Sequence, residues 1–114
     1  MARYLKGDII SVNFPFSSED AFKYRPALVL ASWDYLGGRD YLVCMISTQD
    51  DGDPMQMELN KSDTIGGSFQ QKCFLRPAYT FAASKKRMQR KICSLKPEKL
   101  NAVQGVLHGL IDQL

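Results

Sequence analysis

Residues Asp8–Phe14 alternate, with Ile10, Val12 and Phe14 on one side and Ser11 and Asn13 on the other. A period of two predicts a half-buried strand. Pro15 ends it, and the polar stretch 17–23 reads as an exposed loop. Residues 25–33 (RPALVLASW) form a nearly continuous apolar run, too short for a typical helix and suited to a buried strand. Gly37-Gly38 marks a turn, and 41–47 (YLVCMIS) makes a third, mostly apolar strand. Residues 48–54 are polar and predict a loop, and 55–59 (MQMEL) alternate again as a short strand. After Gly66-Gly67 the segment 71–77 predicts another strand, and 91–95 a last short one.

The period then changes. Leu100, Val103, Leu107, Leu110 and Leu114 recur at spacings of 3, 4, 3 and 4, the apolar stripe of an amphipathic helix. Pro97 suits its first turn, and Ser94 or a neighbour is a candidate cap. Gly105 and Gly109 oppose it, each by about 1 kcal/mol relative to alanine, so packing must hold the helix down. Short strands followed by one such helix predict a mainly β protein, a small and strongly curved barrel with a helical cover.

At 114 residues with 45% hydrophobic content, the expectation is one domain spanning 1–114 with a single real core. No apolar run approaches the roughly 18 residues of a membrane span, and MARYLKGD has no signal-peptide core. The expected compartment is the cytoplasm, with no membrane partner. Cys44, Cys73 and Cys93 are odd in number and far apart, beside one histidine. That argues against a disulfide framework or a closed zinc site and predicts cysteines acting as small apolar residues.

The net charge of +3 matters less than where it lies. Between Lys72 and Lys99 nine lysines and arginines face one acid, Glu98, whereas Asp50, Asp51, Asp53 and Glu58 gather upstream. Such a segment is either a solvated face or a footprint for phosphates or an acidic partner.

Elimination narrows the chemistry. His108 falls beside the apolar stripe and reads as an exposed helical histidine rather than half of a nucleophile pair. No GxxxxGK or GxGxxG phosphate loop occurs. The aspartates at 50, 51 and 53 flank Gly52, where turn chemistry explains them better than a metal site; no metal or cofactor is expected. What remains is a pair. A hairpin turning near Leu36 and Gly37 sets opposite one another residues whose numbers sum to about 72, so Arg25 meets Ser47 at the barrel rim. A fixed guanidinium fork and a hydroxyl can grip a phosphate, or they can simply finish a barrel edge.

KGDIISVNFPF, a polar loop, YRPALVL and then CMISTQ together resemble the MazF/PemK family of toxin ribonucleases. Members open with a Gly-Asp strand, carry Arg-Pro and an aliphatic run on the second strand, and end the third with Thr or Ser. FLRPAYTF, a basic stretch and a C-terminal helix follow in the family's order, so the resemblance covers nearly the whole chain. It implies an SH3-like barrel related to the gyrase poison CcdB, acting as a homodimer whose interface helps shape an RNA groove. It also implies catalytic roles for Arg25 and Ser47. Some members carry Arg-x-Asp on the later strand; here Arg76 is kept, but Ala78 stands where that aspartate would be.

The implied reaction needs no metal. The ribose 2′-OH attacks its own phosphate, leaving a 2′,3′-cyclic phosphate and a 5′-OH, with proximity built into the substrate. Arg25 and Ser47 suit the charge that develops on the non-bridging oxygens. Thr48, Lys23, Gln49, Arg76 and Phe16 are the expected contacts to single-stranded RNA, by cations, amides and stacking. Phe22, Tyr24, Tyr79 and Phe81 belong either to the core or interface or to this groove. The implied partner is an antitoxin whose disordered, acidic tail folds into the groove. Two rivals stay open: a non-catalytic, CcdB-like gyrase-binding module, and a family member that binds without cutting.

Overall fold

The computed structural model describes residues 4–14, 23–50 and 52–113. The strands are β1 (Asp8–Phe14), β2 (Lys23–Tyr35), β3 (Gly38–Ser47), β4 (Met57–Leu59), β5 (Thr64–Ile65), β6 (Cys73–Ser84) and β7 (Met88–Leu95), followed by helix α1 (Pro97–Asp112). They form one antiparallel sheet in the order β4-β6-β3-β2-β1-β7-β5. The chain is a mainly β half-barrel with one C-terminal helix.

Both faces of this sheet are buried, which is why β2 and β3 read as apolar runs rather than as alternations. One face carries Ile9, Leu28, Leu30, Cys44, Ile46 and Leu75, and α1 covers it with Val103, Leu100 and Leu107. The other carries Ile10, Val12, Ala27, Val29, Tyr41 and Val43. There the long arm of β6 and the start of β7 fold over, contributing Ala83 and Met88. A 3-10 turn, Lys85–Arg87, links those two strands and touches β1 and β3 on the way.

The β2–β3 hairpin sets the register. Leu36 (φ 48°) and Gly37 (φ 75°) form its two-residue loop, and positive φ at both is what a turn matching strand twist requires. Pairs from Tyr35↔Gly38 to Ala31↔Leu42 sum to 73, and after one irregularity Val29↔Val43, Leu28↔Cys44 and Ala27↔Met45 sum to 72. A one-residue bulge absorbs the difference.

The Gly-Asp pair that opens β1 is architectural. Gly7 adopts φ +95°, and an added Cβ would stand 3.3 Å from Leu100 of α1. Its amide donates to Val29 O (2.8 Å) and its carbonyl accepts from Leu95 N (2.8 Å). Buried Asp8 accepts from Leu5 N (2.8 Å) and Ser94 Oγ (3.3 Å) and pairs with Lys91 (3.2 Å). Ser94 is therefore no helix cap. The N-cap is Lys96, which makes no side-chain capping bond, with Pro97 in the first turn.

Other boundaries move as well. The strand expected at 25–33 runs from Lys23 to Tyr35, so Lys23 leaves the expected 17–23 loop, whose other residues lie outside the described ones. The 41–47 strand begins at Gly38, the 71–77 segment runs from Cys73 to Ser84, the 91–95 strand begins at Met88, and the 55–59 strand is only Met57–Leu59. His108 is exposed, as expected, and Leu114 lies outside the described residues. At Gly105 and Gly109 an added Cβ meets nothing within 4 Å. Gly105→Ala and Gly109→Ala are expected to stabilise by about 1 kcal/mol each, read as a rise in the urea midpoint at constant m-value.

The three cysteines are free and buried in the helix-covered core. Burial pushes the Cys44 thiol up to about 12, and raises those of Cys73 and Cys93 by the same cause. The thiolate is the reactive form, so iodoacetamide at pH 8 is expected to label Cys44 only as the chain unfolds. The linkage sign follows: the Cys44 contribution is full below the unfolded value near 9 and is lost as pH rises toward 12. Native labelling of Cys44 at the rate of a free thiol, read by mass spectrometry, would contradict this burial.

Candidate RNA-cleavage site at the sheet rim

One end of the sheet gathers the ends of four neighbouring strands. Arg25 is the third residue of β2, where it pairs with Val12 of β1. On β3, Ser47 lies opposite Phe74 of β6, and Phe74 lies opposite Glu58 of β4. The β2–β3 ladder runs to Ala27↔Met45, and the same sum of 72 carried two residues outward leads to Arg25 and Ser47. Alternation assigns Arg25, Ser47, Phe74 and Arg76 to one face, because Ala27, Met45 and Arg76 form the adjacent cross-strand row. Ser47 and Arg76 are thus diagonal neighbours, a relation of about 7–8 Å across a strand pair.

Each side chain has a distinct environment. Arg25 is exposed, as a group must be to meet a phosphate. Ser47 Oγ accepts from Gln49 N (3.0 Å), which fixes the oxygen while leaving its O–H as a donor. Thr48 and Gln49 are exposed on the loop leaving β3. Lys23 is the first residue of β2, opposite Phe14. Its side chain, and Phe16 and Phe22, lie outside the described residues.

Arg76 is only 9% exposed. Its Nη2 donates to Asp53 Oδ2 at 3.4 Å, and its guanidinium lies 4.2 Å from the ring centroid of Tyr79. Asp53 Oδ1 accepts from Met55 N (2.9 Å). Asp53 therefore makes the turn expected of it and also ties the 48–54 loop to β6. Ala78 is exposed, and the carboxylate beside Arg76 comes from a different loop. This pairing spans 23 residues of chain, and no local pattern reveals it.

The aromatics divide. Phe81 stacks edge-on with Phe14 at 4.7 Å and belongs to the core, whereas Tyr24 and Tyr79 are each 52% exposed. Lys72 lies over the Phe74 ring at 5.9 Å and pairs with Glu58 at 3.4 Å. With both charges largely in water, that pair is worth about 0–1 kcal/mol. Asp50 is fully exposed, and its carboxyl is held below the usual range, first by the Gln56 amide and then by Gly52 N. Among the described residues no group of three or more His, Cys, Asp or Glu side chains is placed to hold a metal.

Residues 5–111 match the family described as "PemK-like, MazF-like toxin of type II toxin-antitoxin system". The chain belongs to this family. Solved structures agree in fold at low identity. The Mycobacterium tuberculosis toxin MazF-mt6 superposes with a TM-score of 0.69 at 16% identity, covering 92% of this chain and 96% of that one. A mycobacterial endoribonuclease solved with its cognate antitoxin gives 0.68 at 11% identity and 96% of both chains. MazF from Deinococcus radiodurans gives 0.64 at 17% identity, covering 93% and 94%. No curated protein matches the sequence. The Gly-Asp opening, the Arg-Pro strand and all but the last residue of the C-terminal helix fall within the matched residues. No helix among the described residues is long and apolar enough to cross a membrane.

Proposed function

We propose that this PemK-like toxin is an endoribonuclease that cuts single-stranded mRNA without a metal ion, with Arg25 and Ser47 as its catalytic residues. The observation that carries this reading is the 72-sum register of the central hairpin, which directs an exposed guanidinium and a hydroxyl donor to one face of one rim. The family assignment and the fold shared with an endoribonuclease support it.

In the reaction the 2′-oxygen–phosphorus bond forms as the bond from phosphorus to the 5′-oxygen breaks. The 2′-OH loses its proton and the departing 5′-oxygen takes one up, so no water is consumed. Extra negative charge builds on the two non-bridging oxygens. Arg25 stays protonated and offers two parallel N–H donors to that charge, while Ser47 O–H offers a third. Thr48, Gln49, Lys23, Arg76 and Phe16 hold the flanking nucleotides. Arginine is too weak a base to take the 2′ proton, so its contribution is electrostatic.

The wider reading follows the family. The single domain spans 1–114 as an SH3-like barrel, works as a homodimer in the cytoplasm, and is neutralised by an antitoxin whose acidic disordered tail occupies the RNA groove. The deciding experiment is digestion of a long unstructured RNA by purified protein in EDTA. Fragments with 2′,3′-cyclic phosphate and 5′-OH ends are expected. Intact RNA after incubation with folded protein, across several substrates, would favour a toxin that binds without cutting, the reading to which Ala78 lends weight.

A further inference from the structure

Cleavage by this route leaves one role unfilled. The 2′-OH must hand its proton to an acceptor, and Arg25 stays protonated. The acceptor has to sit on the face that carries Arg25 and Ser47, within reach of a ribose held there. Carboxylates suit the task, because once ionised they only accept. Among the described residues three come from the segments that meet at this rim: Asp50, Asp53 and Glu58.

Geometry separates them. Glu58 lies in one cross-strand row with Phe74 and Ser47, so two strand spacings, roughly 10 Å, stand between it and Ser47. Its carboxylate is turned to Lys72 (3.4 Å). Asp50 is fully exposed, and the Gln56 amide and Gly52 N that hold its carboxyl below the usual range make it a weaker proton acceptor. Asp53 is placed differently. Its Oδ2 lies 3.4 Å from Nη2 of Arg76, and Arg76 is the diagonal neighbour of Ser47 on the same face.

We propose that Asp53 is the general base of the cleavage reaction, a carboxylate carried to Arg76 by the loop that leaves β3 at Ser47. The proposal rests on the ribonuclease reading above. Met55 N donates to Oδ1 (2.9 Å) and Arg76 to Oδ2, so the carboxylate is oriented through both oxygens. Those contacts use two of its roughly four acceptor positions, and 12% of the side chain remains accessible. In the step, an Asp53 oxygen takes the 2′ proton as the 2′-oxygen–phosphorus bond forms. The bond from phosphorus to the 5′-oxygen breaks, its electron pair stays on that oxygen, and a proton from water neutralises it. The Asp53 carboxyl then returns its proton to the solvent, so the enzyme is restored and no water is consumed.

The test is single-turnover cleavage of an unstructured RNA by the full chain in EDTA. Aspartates are ionised throughout the range from about pH 6 to 8, so the wild-type rate is expected to be flat across it. Asp53→Asn is expected to cut about 10²–10⁴ more slowly, the scale of one general base. Its rate should also rise about tenfold per pH unit, because hydroxide must then take the proton. A merely structural contact, once lost, would slow cleavage without introducing that slope. Glu58→Gln is expected to keep the wild-type rate and profile. Thermal melts and titration of an uncleavable 2′-deoxy oligonucleotide check that each variant folds and binds. Asp53→Asn cutting within about threefold of wild type, or with a flat profile, would overturn the assignment, as would the slope appearing in Glu58→Gln. Should Asp53→Asn not fold, the wild type alone decides: a rate climbing about tenfold per pH unit would show that no ionised carboxylate takes the proton. A folded wild type that cuts no RNA at all would sink the ribonuclease reading and the base with it, whereas a cutting wild type with an unimpaired Asp53→Asn sinks the base alone.

Discussion

Arg25→Ala is expected to abolish RNA cleavage and leave the protein folded. The side chain is exposed near the start of β2, so truncating it removes no core contact, and exposed substitutions away from caps and networks cost about 0.5 kcal/mol or less. The catalytic loss is of another size. Removing one donor aimed at a developing oxyanion costs about 10²–10³ in rate, and in the proposed mechanism Arg25 supplies two donors and the formal charge. Arg25→Lys separates those contributions: it keeps the charge and loses the planar fork, and is expected to fall between wild type and alanine. The measurement is a time course on unstructured RNA in EDTA, beside a thermal melt of each variant. Full activity in a folded Arg25→Ala protein would remove Arg25 from the mechanism. An inactive Ser47→Ala with an active Arg25→Ala would move the charge stabilisation elsewhere on the rim.

That prediction is sharp because the residues behind it were legible. A two-residue turn at Leu36-Gly37 fixes the pairs beside it at a sum of 73, and the bulge between Val29 and Ala31 shifts the pairs nearer the rim to the expected 72; the turn was legible, the bulge was not. The stripe through Leu100, Val103 and Leu107 was legible because one buried face imposes one period. The strand at Asp8–Phe14 is present but is buried on both faces rather than one, with Ile9 in the helix-covered core and Ser11 only 8% exposed. What the sequence hid depends on contacts between distant segments. Pro77 looks like a strand terminator, yet β6 runs through it, because the irregularity between Arg76 and Thr80 on the β3 ladder lets the proline sit where no ladder bond is needed. Thr64–Ile65 is too short to show any period. Ser94 looks like a cap because serine caps helices, but buried Asp8 claims its hydroxyl. A cavity at the β4 end joins residues near 60 to residues near 70, and neither stretch is patterned.

Asp53 is the clearest such case, and its removal is expected to have the second large effect. Asp53 and Arg76 side chains are 12% and 11% exposed, so their pair follows buried rather than surface energetics. Breaking a buried pair by deleting one partner costs about 3–5 kcal/mol. The 3.4 Å separation is long against the ~2.7–2.9 Å of a strong charged bond, which points to the low end, near 3 kcal/mol. Against a total of about 5–15 kcal/mol, Asp53→Ala should lower the urea midpoint substantially. Asp53→Asn is the informative companion. It retains an acceptor for Met55 N and removes the charge, so the loop turn survives while Arg76 loses one charged partner. If Arg76 contacts RNA phosphate, Asp53 competes with that phosphate in the free protein. Removing that competition should then tighten binding of an uncleavable RNA at low salt and steepen its salt dependence by up to about 0.7 in log K per log salt, the increment for one more phosphate on a single strand. A less stable Asn variant with an unchanged salt slope would make the pair purely structural. Unchanged stability and slope together would reduce it to an idle contact, and the tethering of the 48–54 loop to the groove would fall with it.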